Sequence, residues 1–203
     1  MSTSLVKSGS NEVLPGSVAD AARKDGKTIA AQMIKIEAVV LGDNSGSMET
    51  EDVSYQGGKI SREQKLMIEL AEIYTKYPGQ VLLVEFSDKA EMRPTGTFSG
   101  QHGDTLLAPA LELIKDLDGT GVQFIVISDG LAGDEGAALK IVRGFKTPID
   151  TVYVGPESGS DAREGRDFLR SLATASGGRF DVKSQVDVGP NIEMLFLTDG
   201  GAR

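Results

Sequence analysis

Apolar and polar positions along this chain follow two periods, and the switches between them mark out the elements. Ile36–Leu41 is an apolar run stopped by Gly42, the pattern of a strand covered on both faces. Ser61 to Tyr77 changes to helical spacing. There Leu66, Leu70, Ile73, Tyr74 and Tyr77 share one face, Ser61-x-x-Gln64 forms a capping box, and Pro78-Gly79 ends the run. Val81–Phe86 and Val122–Ile127 return to strand character, the second being the most apolar strand of the chain. Between them, Pro94 and Gly96 confine any strand in Arg93–Gly100 to a sheet edge. Leu106–Leu117 predicts a helix with Leu107, Ala110, Leu111, Ile114 and Leu117 facing inward and Pro109 in its first turn. A weaker helix over Asp134–Phe145 and a strand over Ile149–Val154 follow. Next come a helix opened by an Asp161-x-x-Glu164 capping box and closed by Gly177, a short strand over Arg179–Val182, and a helix over Ile192–Leu197.

Strands alternating with helices predict an α/β fold of three layers. The expected core is a doubly wound, mostly parallel central sheet of about six strands flanked by helices, Rossmann-like in plan. At 203 residues the chain is one domain's worth. Residues 1–33 read as a flexible N-terminal extension in which Ser17 caps a short helix that Gly26 interrupts. Residues 34–198 read as the domain and 199–203 as a tail.

Composition narrows the chemistry. The net charge is -9, which argues against an electrostatic grip on nucleic acid or an anionic membrane surface. Cys is absent and His102 is the single histidine, so thiolate zinc sites, a cysteine nucleophile and multi-histidine metal sites are excluded. No apolar run reaches the roughly 20 residues of a membrane span, and the start of the chain lacks a signal-peptide layout, so the expected location is the cytoplasm. Any bound metal must be held mostly by oxygen.

Oxygen ligands are available where such a sheet binds ligands, at the carboxyl ends of its strands. The first strand leads into Gly42-Asp43-Asn44-Ser45-Gly46-Ser47-Met48. Asp43, Ser45 and Ser47 stand at i, i+2 and i+4, so a tight turn at Gly46 can bring them to one point. One carboxylate and two hydroxyls are hard donors suited to Mg²⁺, Mn²⁺ or Ca²⁺. Thr105, before the next helix, offers a third hydroxyl. Asp129, in Ser128-Asp129-Gly130 after the most apolar strand, offers a second carboxylate. The bland readings are an Asx-turn for Asp43, a helix N-cap for Thr105, and a turn residue for Asp129. His102 reads as an exposed loop residue. Asp104 reads as solvated, and Glu49, Glu51 and Asp52 as a rim.

Asp43-x-Ser45-x-Ser47, with the Thr105 and Ser-Asp-Gly segments in order, resembles the motif of von Willebrand factor type A (VWA) domains. The resemblance runs from about Ile36 to Leu197. It implies a metal-ion-dependent adhesion site (MIDAS) in which Asp43, Ser45, Ser47, Thr105 and Asp129 hold one divalent cation, Mg²⁺ first. A protein partner's Glu or Asp carboxylate would complete the shell. It implies a non-enzymatic, metal-binding module for protein–protein interaction, in the manner of intracellular adaptors beside AAA-type ATPases. Asp104 departs from the family, which has Gly more often at that position. Two other functions stand beside this one. In a structural or assembly component the metal would serve as a staple. In a Mg²⁺-dependent phosphohydrolase Asp43 would be the nucleophile, but the second Asp such enzymes want is replaced by Ser45. A serine hydrolase is disfavoured because the Gly-x-Ser-x-Gly pattern is missing.

The windows 43–58, 101–108 and 129–139 hold eight of the 30 acidic residues and no Lys or Arg. The expected site face is therefore acidic, with the cation as gate to an acidic partner.

Overall fold

The computed structural model describes residues 12–100, 102–156 and 158–182. The expectations for the first 11 residues, for the Ile192–Leu197 helix and for the 199–203 tail fall outside these. Eight strands and six α-helices follow in chain order among the described residues: α1 (Val18–Lys24), α2 (Ile29–Met33), β1 (Ala38–Asp43), β2 (Val53–Tyr55), β3 (Gly58–Ile60), α3 (Arg62–Lys76), β4 (Val81–Phe86), β5 (Ala90–Arg93), α4 (Ala108–Ile114), β6 (Gln123–Ser128), α5 (Glu135–Val142), β7 (Ile149–Tyr153), α6 (Ser160–Ser176) and β8 (Phe180–Val182). Six strands form one sheet in the order β5-β4-β1-β6-β7-β8, parallel except for β5, and β2 and β3 form a separate hairpin.

The sheet explains its own covering. Along β1, Val39 and Leu41 face a core built with α4, α5 and α6, through Leu107, Leu111, Ile114, Ala138, Val142, Phe168, Leu169 and Leu172. Val40 faces the opposite core with Leu66, Leu70, Ile73 and Tyr74 of α3. Strand alternation thus feeds two helical layers, giving the expected three-layer, mostly parallel Rossmann-like fold. Helix α3 has the expected capping box, with the Ser61 hydroxyl accepting from the Gln64 amide at 3.1 Å and the Gln64 side chain accepting from the Ser61 amide at 3.1 Å.

Three expectations are corrected, and one element is new. Within the expected extension, residues 14–22 are packed rather than loose, while residues 23–31 are exposed. Leu14, Val18, Ala21 and Ala22 are buried, and Gly16, at φ +80, lies so close to the Tyr74 carbonyl that a side chain there would collide with it. The edge strand is Ala90–Arg93, not Arg93–Gly100, because Pro94 and Gly96 turn the chain inward and bury Thr97 and Phe98. Helix α6 begins at Ser160, with Gly159 at its N-cap, and no side-chain capping bond forms. Asp161 therefore lies inside the first turn, where its charge suits the helix terminus. After Glu49, Glu51 and Asp52, read only as a rim, the chain forms the hairpin β2–β3, turned at Gln56 (φ 48) and Gly57 (φ 82), the positive pair of a type I′ turn.

The winding reverses at the centre. From β1 the chain moves outward through β4 to β5, then crosses to the other side of β1 and continues through β6, β7 and β8. The crevice between the carboxyl ends of β1 and β6 is the topological switch point, the place where sheets of this kind bind ligands.

Candidate functional site

Asp43 is the last residue of β1, and Gly42 of β1 stands beside Ile127 of β6, so the chain end of one strand abuts that of the other. The Asp43 side chain is buried and holds two donors. Its Oδ1 accepts from the Ser45 amide at 2.8 Å, and its Oδ2 accepts from the Ser128 hydroxyl at 2.5 Å. The first contact is the Asx-turn geometry of the bland reading, and it bends the chain so that Ser45 and Ser47 follow on a tight 3₁₀ turn over Gly46–Glu49. The Ser45 and Ser47 hydroxyl oxygens lie 3.0 Å apart. The spacing of two therefore does bring alternate side chains together.

Ser128 anchors the neighbouring strand end. Its oxygen also accepts from the Gly130 amide at 2.8 Å, so one hydroxyl joins Asp43 to the loop that carries Asp129. Asp129 is buried. Its Oδ2 accepts from the Arg62 guanidinium at 3.0 Å and its Oδ1 from the Leu131 amide at 3.4 Å. The loop is seated by two glycines. A side chain on Gly165 of α6 would collide with the Asp129 carbonyl, and one on Gly130, at φ +78, with the Gly165 carbonyl.

Thr105 stands at the same end of the sheet. The Gly103 carbonyl accepts from the Gly46 amide at 3.4 Å, and the Thr105 carbonyl accepts from the Gly133 amide at 2.8 Å. These bonds tie its segment to both acidic loops. Thr105 does not cap α4. The cap comes across the fold from Asp134, whose two oxygens accept from the Leu107 amide at 2.9 Å and the Ala108 amide at 2.8 Å. Asp104 is exposed, as expected. His102 is not a free loop residue: its Nε2 lies 3.1 Å from Glu49 Oε1.

The electrostatics set Asp43 apart. Burial, reinforced by the nearby charge of Asp129 and opposed by the hydrogen bonds from Ser128 and Ser45, pushes its carboxyl up to about 6. Arg62 keeps its proton firmly. Burial works against its charge, but the Asp52 hydrogen bonds and the charges of Asp52 and Asp129 outweigh it.

The candidate oxygens at this end are the carboxylates of Asp43 and Asp129 and the hydroxyls of Ser45, Ser47 and Thr105, with the Ser128 hydroxyl already bonded to Asp43. Among the described residues no group of three or more His, Cys, Asp or Glu side chains is placed to hold a metal. Any ion here must therefore use Ser and Thr oxygens. The donor chemistry fits a hard divalent cation: a buried Asp43 that resists ionisation, beside an Asp129 already paired with Arg62, is a charge arrangement that a single cation would relieve.

Three participants escaped the sequence reading. Ser128 sits one residue before the expected ligand. Asp134 was read as a helix start. Arg62 overturns the expectation of a face without basic residues. Its signal was a cation in the first turn of a helix, where the helix dipole disfavours one.

These features define a Rossmann-like α/β domain with a buried acidic and hydroxyl-bearing switch point. Among solved structures, the chain is similar in fold to the conserved hypothetical protein BatB from Bacteroides thetaiotaomicron, with 17% identity, a TM-score of 0.57, and coverage of 80% of this chain and 100% of that one. It also aligns with an uncharacterized membrane spanning protein from Vibrio fischeri at 20% identity, covering 80% of this chain and 98% of that one, with a TM-score of 0.34. No protein-family model and no curated protein matches the sequence. Among the described residues, no helix is long and apolar enough to cross a membrane.

Proposed function

We propose that this chain is a VWA-like, non-enzymatic module that binds a protein partner through one divalent cation, Mg²⁺ first. The observation that carries the proposal is the gathering of Asp43, Ser45, Ser47 and the Asp129 loop at the β1/β6 switch point, with Asp43 and Asp129 both buried. Asp43, Ser45, Ser47, Thr105 and Asp129 would hold the ion. Hydroxyls are neutral ligands, so an ion held largely by them keeps residual positive charge and attracts an outside carboxylate. The partner is accordingly a protein that presents a Glu or Asp side chain.

The Ser45 and Ser47 hydroxyls are held near the end of β1 by backbone turns rather than by long, mobile side chains, so binding orders little. Asp43 is fixed by the Ser45 amide and the Ser128 hydroxyl before any ion arrives. That preorganisation suits recognition at a fixed point.

Calorimetric titration of Mg²⁺, Mn²⁺ and Ca²⁺ into chelator-stripped protein tests the first half. Wild type should take up one ion and Asp43→Ala none. Co-precipitation from the native host, in Mg²⁺ and in EDTA, tests the second: partners should be lost with EDTA and with Asp43→Ala. A wild type that takes up no ion, or partners unchanged in every condition, would sink the proposal.

A further inference from the structure

We infer that Arg62 is a positioning residue that sets the site's affinity for its cation, by sharing Asp129 with the ion while Asp52 holds the guanidinium in place. The inference rests on the cation reading above. Three nitrogens of Arg62 are committed. Nε lies 3.1 and 3.3 Å from the two Asp52 oxygens, one terminal nitrogen lies 2.7 Å from Asp52 Oδ2, and the other lies 3.0 Å from Asp129 Oδ2. The Asp52 contact is the bidentate fork that fixes a guanidinium's orientation as well as its position. The Arg62 side chain is 9% exposed and that of Asp129 2%, so this pair is shielded from water and from salt.

Packing alone does not require a cation at this position. Arg62 opens α3, where the dipole of the helix opposes positive charge. What the position offers is reach in two directions. One leads to Asp129 at the switch point, and the other to Asp52, the residue that enters the β2–β3 hairpin. Without Arg62, Asp43 and Asp129 would face each other as two buried carboxylates. With it, one of the two negative charges is already answered from within the chain.

Two consequences have opposite signs. Removing the guanidinium frees Asp129 Oδ2 and removes a positive charge beside the ion, so a divalent cation binds more tightly, while the metal-free protein loses stability. Removing the Asp52 carboxylate leaves the guanidinium with Asp129 as its remaining acidic partner, so the cation binds more weakly. A residue that only props up the fold would not move the affinity in opposite directions through its two partners.

The test is Mg²⁺ titration by calorimetry, with melting temperature in chelator, on wild type, Arg62→Gln, Arg62→Lys and Asp52→Asn. Arg62→Gln should bind Mg²⁺ about fivefold or more tightly than wild type, the scale of a typical coupling between sites, and melt lower in chelator. Asp52→Asn should bind more weakly. Arg62→Lys, which keeps the charge but loses the fork, should fall between wild type and Arg62→Gln. If Arg62→Gln does not fold, Asp52→Asn decides: weaker binding supports the inference and unchanged binding overturns it. Arg62→Gln and Asp52→Asn shifting together, or neither shifting, overturns it while leaving the cation reading intact. Wild type that binds no Mg²⁺ overturns both.

Discussion

Two aspartates of this chain are almost equally hidden from solvent, 2% exposed for Asp20 and 0% for Asp43, yet their surroundings push them in opposite directions. Asp20 lies in α1. It accepts from the Gly16 amide at 2.8 Å and pairs with Arg23 at 2.8 Å and Lys24 at 2.7 Å. The Gly16 bond foremost, and then Lys24, hold its carboxyl down at about 2. Asp43 has neutral donors, the Ser45 amide and the Ser128 hydroxyl, and a carboxylate for a neighbour, and it is pushed up to about 6. Low exposure alone does not separate the two: an amide and two cations outweigh burial at Asp20, whereas at Asp43 burial is the largest effect, the Asp129 charge adds to it, and only neutral donors oppose it. A buried acid that the chain has answered with its own cations is a structural device. One raised by burial beside another acid is where the proposed cation would act.

The sharpest way to break this contrast is Asp43→Asn. At neutral pH in chelator the variant should melt above wild type, because it removes a charge that burial, and then Asp129, disfavours. The ordinary value is 3.8 and the folded value about 6, so ionising Asp43 costs stability as pH rises through 6, and the variant's advantage should vanish towards pH 3.8. The same variant should lose the whole Mg²⁺ stabilisation, about 2.7 kcal/mol at a hundred times the dissociation constant. Thermal melts with and without Mg²⁺ across that pH range read both effects. Comparable in size is Gly165→Ala, which drives a methyl group into the Asp129 carbonyl and should destabilise by about 3 kcal/mol in chemical denaturation.

Asp20→Asn should behave in the opposite sense to Asp43→Asn. It strips the charge from a satisfied site and should cost about 2 kcal/mol at neutral pH, with no effect on Mg²⁺ affinity. Because the folded value of about 2 lies below the ordinary 3.8, Asp20 stabilises the fold above that range. The gap between wild type and variant should close as pH falls through about 2. The mildest change is Asp134→Ala. It removes the cap from α4, should cost about 1 kcal/mol, and should loosen the 102–107 segment in hydrogen exchange. A loss of Mg²⁺ response as complete as that of Asp43→Asn would place Asp134 with Asp43 rather than with Asp20.

Much of the fold was legible because its signals are local. The buried runs at β1, β4 and β6 and the Ser61-x-x-Gln64 box each lie within a few residues. The hairpin was not. Val53–Tyr55 and Gly58–Ile60 are three residues each, too short for alternation to register, and the only cue was the Gln56-Gly57 turn. In the site, Asp43, Ser45 and Ser47 could be read together because one turn gathers them. Their partners could not. Ser128 is 85 positions from Asp43, Arg62 is 67 from Asp129, and Asp134 is 27 from Leu107. Only the sheet order brings such pairs together.

The bond from the Gly130 amide to Ser128 has a consequence for the chemical lifetime of the protein. An Asp-Gly pair is where a chain most readily rearranges, since the glycine nitrogen attacks the preceding side-chain carbonyl carbon to close a succinimide ring. At Asp129-Gly130 that nitrogen is turned to a hydroxyl at 2.8 Å, and the carboxylate is drawn towards Arg62. Attacker and target are thus each held elsewhere. Of the four Asp-Gly pairs in the sequence, this one is thus shielded from ageing by the same two contacts that seat the Asp129 loop.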